Sequence, residues 1–426
     1  MSEIKFIEGG VTAAKGFTAN GILCHIKASR KTNDTALVVS EVPCNAAGVF
    51  TQNRVKAESV KLCKKNIANG RIQAIIANSG NANCCTGEQG AQNALRMAKA
   101  VEKATGVSAD DVIVCSTGVI GAQLPVEKIE ANIDALAKGL SKEGHKEARI
   151  AIITTDTKYK ECAVEFTVGG KLCHMGTMCK GSGMIHINLG TMLAFMTTDC
   201  AISSTMLEKA LRSSIAGTYN CVSIDGDTST NDTLTILANG MAGNARIESE
   251  GKDYDDFLAA LNEINTQMAM KIAGDGEGAT RLIECNVTGA KDVETARTLA
   301  KSLISSSLVK AAIFGKDANF GRFLCAMGYS GADFDPDKVT ISYKSHKGAM
   351  RHGATDFLGR NDGEEKSVMV YEKGVPLNFD EDKALEVLSE DEVIVDVVCG
   401  DGNASGTAWG CDLTYDYVKI NGDYRT

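Results

Sequence analysis

The chain has 426 residues, 44% hydrophobic and 23% charged, a balance that excludes disordered and collagenous classes and fits a globular protein of two to three domains or one large layered unit. A net charge of −9 and no run of Lys and Arg exclude a nucleic-acid binder, which needs a basic face to displace counterions from phosphate. Fifteen cysteines without one Cys-x-x-Cys pair exclude zinc ribbons and thioredoxin-like redox motifs.

In chain order, short apolar runs ending in Gly, Asn, Ser or Asp read as strands over 36–40 and 73–78. A helix follows over 88–104, with Ala91, Leu95, Ala98 and Val101 on one face. Further strands are expected over 111–115, 150–154, 162–168 and 192–197. Thr205 and Glu208 stand at capping-box spacing and open a helix with Leu207, Leu211 and Ile215 inward. The strongest helical period runs over 253–273, through Phe257, Leu261, Ile264, Met268 and Ile272. A strand over 282–287, a helix over 294–305 carrying Ala296, Leu299 and Leu303, and a strand over 393–399 complete the pattern. Helices and strands alternate throughout, so the class is mixed α/β. The 43 glycines against 4 prolines imply many tight turns and close backbone approaches.

The first residues, Met1 to Lys5, show no apolar signal region, and no apolar run nears the ~20 residues of a membrane span. Together with unpatterned cysteines this predicts a cytoplasmic protein with free thiols. The six histidines are dispersed, with no pair at helical ligand spacing, so no metal is expected.

One stretch departs from the ordinary pattern. Lys180-Gly181-Ser182-Gly183-Met184 leads into an apolar run through Gly190-Thr191-Met192-Leu193. The lysine precedes the glycines and the Walker spacing is absent, so a phosphate-cradling loop is not indicated. A threonine hydroxyl can attack the preceding carbonyl to give an ester that water cleaves, and Gly190 has no Cβ to obstruct that carbonyl. Thr191 would then own an α-amine of pKa near ~8, suited to act as base for its own hydroxyl. Taken alone, Gly-Thr at the head of an apolar strand reads as plain structure.

Several motifs, in order and over nearly the whole chain, resemble the ornithine acetyltransferase (glutamate N-acetyltransferase) family. They are Asn78-Ser79-Gly80-Asn81-Ala82-Asn83, Ser116-Thr117-Gly118-Val119-Ile120-Gly121, Thr154-Thr155-Asp156-Thr157, and the segment from Lys180 through Asn188 to Phe195. Asp275-Gly276-Glu277-Gly278-Ala279-Thr280, Asp317-Ala318-Asn319-Phe320-Gly321-Arg322 and the terminus from Ala408 to Thr426 continue the resemblance. It implies an αββα sandwich similar to N-terminal-nucleophile enzymes, with a second, smaller α/β domain. It also implies cleavage between Gly190 and Thr191. Residues 1–190 and 191–426 would become α and β chains of an α2β2 assembly, the latter including a C-terminal α/β region from about 290 to 426.

The implied reaction moves acetyl from N2-acetylornithine to glutamate on the nucleophile Thr191, without a cofactor; whether acetyl-CoA is a second donor is left open, because some members of the family use it and others do not. Thr117 and Gly118 would form the oxyanion hole. Thr154, Lys180, Glu277, Asn421 and Thr426 would bind substrate. An amidase or aminopeptidase with the same threonine, passing the acyl group to water, is the alternative. The family commonly carries Ala-Pro-Asn-Met-Ala before the nucleophile, where this chain has His186-Ile187-Asn188-Leu189-Gly190. His186 reads as a packing substitute, and the lost proline bears on the rate of cleavage.

Overall fold

The computed structural model describes residues 3–186, 192–346 and 364–422. Gly190, Thr191 and Thr426 lie outside the described residues. The chain forms two compact units: Met1–Gly181, Asn188–Ile215 and Thr228–Met268 in the first; Ser182–Ile187, Ala216–Asp227 and Ala269–Thr426 in the second.

The first unit is built on a nine-stranded mixed sheet. Its order is Lys5–Ile7, Lys160–Val168, Lys171–Lys180, Leu193–Thr198, Thr233–Ala238, Thr35–Phe50, Arg71–Asn81 and Val112–Val119, with Phe17–Ile22 also paired to Thr35–Phe50. Side chains alternate between faces, as the strand period requires. Leu37, Ala74, Ile76, Val112 and Val114 pack under the helices Gly87–Thr105 and Val126–Lys138. Val38, Ile75, Ala77, Ile113 and Cys115 share the opposite core with the helix His145–Ile152.

The second unit holds an eight-stranded sheet ordered Val375–Pro376, Glu365–Glu372, Thr340–His346, Glu392–Val398, Leu282–Ala290, Ala404–Cys411, Val222–Thr228 and Ile185–His186. The helix Val293–Ser305 packs on its middle strands through Ala296, Leu299 and Leu303, all fully buried. The protein is thus mixed α/β with helix-covered sheets.

Three expectations are corrected. Residues 150–154 are no strand: Ala148, Ala151 and Ile152 fall at helical spacing and form the buried face of His145–Ile152. The helix expected at Thr205 runs from Ser204 to Ala216, and its cap is Ser203, whose Oγ accepts from the Met206 N–H at 3.3 Å. In Gly87–Thr105 Ala98 and Val101 are buried as expected, but Ala94 and Met97 stand in the core where Ala91 and Leu95 were expected. The helix over 253–273 holds as Lys252–Gly274, with all five periodic residues fully buried. All fifteen cysteines are free thiols, thirteen of them buried. Among the described residues no helix is long and apolar enough to cross a membrane.

Candidate active site

The two glycine-rich motifs of the first unit are neighbouring strand ends. The strand expected over 111–115 runs on as Val112–Val119 through Thr117 and Gly118, parallel to Arg71–Asn81, with Gly80 opposite Gly118 and a bulge at Asn81. It is the last strand of the sheet, so alternate N–H groups have no partner within the sheet. Gly118 has φ +133°, and a Cβ there would lie 2.3 Å from the Gly80 carbonyl carbon. Only glycine fits this approach. The Ser116 hydroxyl donates to Asn78 Oδ1 at 2.7 Å, and the Ala82 N–H donates to the Val119 carbonyl at 3.0 Å.

Lys180 ends the strand Lys171–Lys180 opposite Leu193, two residues after Thr191, and is 8% exposed. Its neighbourhood is organised by Asp156, which the sequence reading placed in a motif without a role. Asp156 accepts from the Lys160 ammonium and the Gly181 N–H, each at 2.7 Å, and from the Thr154 N–H at 3.1 Å. Burial alone would raise this carboxyl, but Lys160, Lys180 and the Gly181 amide hold it well below the usual carboxylate range. Thr154 and the Lys180–Gly181 step are thereby fixed to one anion. Asp232 behaves oppositely. Burial pushes its carboxyl well above the usual range, against hydrogen bonds from Ser229 and Thr51 and the charge of Lys180.

In the second unit the structure joins Glu277 to Asn421. The Asn421 carboxamide donates to Glu277 Oε2 at 2.7 Å, and the Glu277 N–H donates to the Ser182 carbonyl at 2.9 Å. Ser182 Oγ donates in turn to the Asp275 carbonyl at 2.6 Å. Gly276 and Gly278 permit contact on both sides: added Cβ atoms would stand 2.5 Å from Cys411 Sγ and 2.6 Å from the Tyr417 amide nitrogen. The C-terminal helix Tyr415–Asn421 is tied down by Thr414, which caps it and donates to the Gly278 carbonyl at 2.7 Å. Asp225 accepts from the N–H groups of Met184 and Ile185 at 2.6 and 2.9 Å. His186 Nδ1 meets Ser223 Oγ at 3.0 Å, and burial with nearby Lys301 lowers its pKa, against Asp225.

Thr117, Gly118, Thr154 and Lys180 therefore stand in the first unit, and Glu277 with Asn421 in the second. Asn231, Asp156, Asp225 and Asp232 are the supporting groups that sequence reasoning missed; Asp156, Asn231 and Asp232 sit in loops among polar neighbours such as Thr155, Thr157, Thr230 and Thr233, which gave no signal.

Residues 18–426 match the model of the ArgJ family. The chain belongs to the ArgJ family. It is 48% identical over 423 residues to the arginine biosynthesis bifunctional protein ArgJ of Caldanaerobacter subterraneus subsp. tengcongensis, covering 99% of this chain and 100% of that relative. The ArgJ of Thermotoga neapolitana is 46% identical over 416 residues, covering 97% and 99%. Among solved structures, the ornithine acetyltransferase of Mycobacterium tuberculosis, determined with ornithine, is 38% identical with a TM-score of 0.41, covering 44% of this chain and 99% of that one.

Proposed function

We propose that this ArgJ-family chain is an acyltransferase of arginine biosynthesis that moves acetyl from N2-acetylornithine to glutamate through an acetyl-Thr191 intermediate. The observation that carries the reading is the match of almost the whole chain to relatives named for that pathway. The local geometry supplies parts suited to the chemistry.

The Thr191 hydroxyl first attacks the Gly190 carbonyl, and the peptide C–N bond breaks to leave an ester and the free Thr191 α-amine; water then cleaves that ester, releasing the Gly190 carboxylate and restoring the hydroxyl. That amine takes the hydroxyl proton as Thr191 attacks the acetyl carbonyl, and ornithine leaves with a proton. Glutamate's amine then attacks the acetyl ester, giving N-acetylglutamate and restoring the hydroxyl. Thr117 and the Gly118 amide stabilise the oxyanion, a contribution of about 2.7–4 kcal/mol for a preorganised donor. Lys180 and Thr154, held through Asp156, bind substrate. Glu277, seated by Asn421, meets the α-amino nitrogen that ornithine carries away and glutamate presents, and Thr426 completes the set. Acetyl-CoA is an alternative donor to the same threonine, and the reaction calls for no metal or cofactor. The two fragments stay together as α2β2 in the cytoplasm.

The test is the intact mass under denaturing conditions, beside a Thr191→Ala variant and an acetyl-transfer assay. Two fragments from the native chain, the second beginning at Thr191, and one unbroken chain from the variant are expected. Acetate release that glutamate cannot divert would instead make the protein an amidase.

A further inference from the structure

Asn231 lies just ahead of the strand Thr233–Ala238, which runs parallel to Leu193–Thr198 with Thr233 opposite Leu193. The Thr233 N–H donates to the Met192 carbonyl at 2.9 Å, so the backbone of residues 231–233 is locked to the chain that directly follows Thr191. From there the Asn231 carboxamide reaches across to the glycine motifs. Its Nδ2 donates to the Ala82 carbonyl at 2.6 Å and to the Ser116 carbonyl at 2.8 Å, one on each of the two paired strand ends. Its Oδ1 accepts from Thr230 Oγ1 at 2.6 Å, and its N–H donates to Ser229 Oγ at 3.2 Å. Asn231 is 6% exposed, so every polar atom of its side chain is buried and used.

The Ser116 carbonyl belongs to the peptide plane whose nitrogen is that of Thr117. Because that plane is rigid, holding the carbonyl oxygen fixes the Cα of Thr117, and with it the direction of the Thr117 hydroxyl and the entry to Gly118. The edge position of the strand Val112–Val119 leaves it a neighbour on one side only, so its end needs an external anchor. Asn231 supplies one from the element bonded to the nucleophile's own strand. A carboxylate at this place would set an oxygen against two carbonyl oxygens, and a hydroxyl could donate to only one of them.

We propose that Asn231 is a positioning residue for acyl transfer, whose carboxamide sets the oxyanion donors Thr117 and Gly118 relative to the strand that follows Thr191. This rests on the acyltransferase reading above. Its signature is coupling: a residue that acts through Thr117 loses its effect once Thr117 is truncated, whereas independent sites add.

The experiment compares full-length wild type, Asn231→Ala, Thr117→Ala and the double variant in acetyl transfer from N2-acetylornithine to glutamate. Asn231→Ala is expected to lower kcat by about tenfold to a hundredfold with little change in either KM, as loss of transition-state stabilisation does. The double variant should be no slower than about threefold below the slower single variant. Losses that multiply, a loss confined to KM, or an unchanged kcat overturn the proposal. If Asn231→Ala accumulates uncleaved or insoluble, Asn231→Ser is measured instead; keeping one of the two donors, it should retain an intermediate kcat, and wild-type kcat again overturns the proposal. A wild-type chain that is not cut before Thr191, or a Thr191→Ala variant that still transfers acetyl, defeats the acyltransferase reading itself, whatever Asn231 does.

Discussion

A Cβ on Gly183 would stand 2.2 Å from Oε2 of Glu277, so the glycine is the wall against which this carboxylate rests. Gly183 and Glu277 are 94 positions apart, joined by the backbone bond from Glu277 N–H to the Ser182 carbonyl. The Lys180-Gly181-Ser182-Gly183 motif therefore does two jobs, one at the Asp156 anion and one as the seat of Glu277. Replacing Gly183 by alanine should push the carboxylate aside without straining the backbone. We expect KM for both amino-acid substrates to rise about tenfold, equivalent to ~1.4 kcal/mol, while cleavage before Thr191 persists. Steady-state kinetics and intact mass read the two separately, and unchanged KM values would show that Glu277 does not hold substrate.

Gly118 is a harsher case, since its φ of +133° and the 2.3 Å approach to Gly80 both exclude a side chain. Gly118→Ala should lower kcat by at least ~10²-fold, comparable to removing an oxyanion donor, and lower Tm. Gly121 is a control: it has φ +85° but open space around it, so Gly121→Ala carries backbone strain alone, about 1–3 kcal/mol. Thermal melts and kinetics on the pair would separate strain from steric displacement; equal kcat values would refute the displacement.

The Asp156–Lys160 pair, at 2.7 Å with both side chains buried, should dominate acid stability in the first unit. The folded carboxyl is held below its ordinary value, so the stability it contributes is present above the unfolded pKa of about 3.9 and is lost as pH falls below it. Asp156→Asn removes the counter-charge of the buried Lys160 ammonium and should cost about 3–5 kcal/mol at pH 7. Urea denaturation at pH 7 and pH 3.5 checks both claims: the gap between variant and wild type should narrow in acid.

Glu392 predicts the opposite pH dependence. It is 1% exposed, neither carboxylate oxygen has a hydrogen-bond partner among the described residues, and burial with nearby Glu284 raises its pKa to about 7. The folded state therefore keeps a proton that the unfolded chain releases near about 4.3, and stability falls as pH rises between those values. Glu392→Gln should be more stable than wild type at pH 8, by up to roughly 3 kcal/mol, and indistinguishable from it near pH 4. A variant less stable at pH 8 would mean that the carboxylate has a partner after all.

The helix Lys252–Gly274 was legible because one apolar stripe repeated through 23 residues, and local period alone determines such a face. The short helix His145–Ile152 was not, since eight residues with a cluster of isoleucine and alanine at the end read equally as a strand. At the candidate site the motif glycines were visible as glycines, but not what they make room for. Gly118 faces the Gly80 backbone, Gly183 faces Glu277, and no sequence period connects either pair.

Composition, periodicity and motif order thus determined by themselves the mixed α/β class, the buried face of the long helix Lys252–Gly274, and the family with its expected chemistry, because these depend on residues near one another in the chain. The tertiary structure decided that Asp156 gathers Thr154, Lys160 and Gly181, that Asn421 seats Glu277, and that Asn231 grips Ala82 and Ser116. Such long-range contacts exist only once sheet register is set. Burial then raises the cost of any unpaired polar group, so Asp156, Glu277 and Asn231 are held to the partners the fold brings to them.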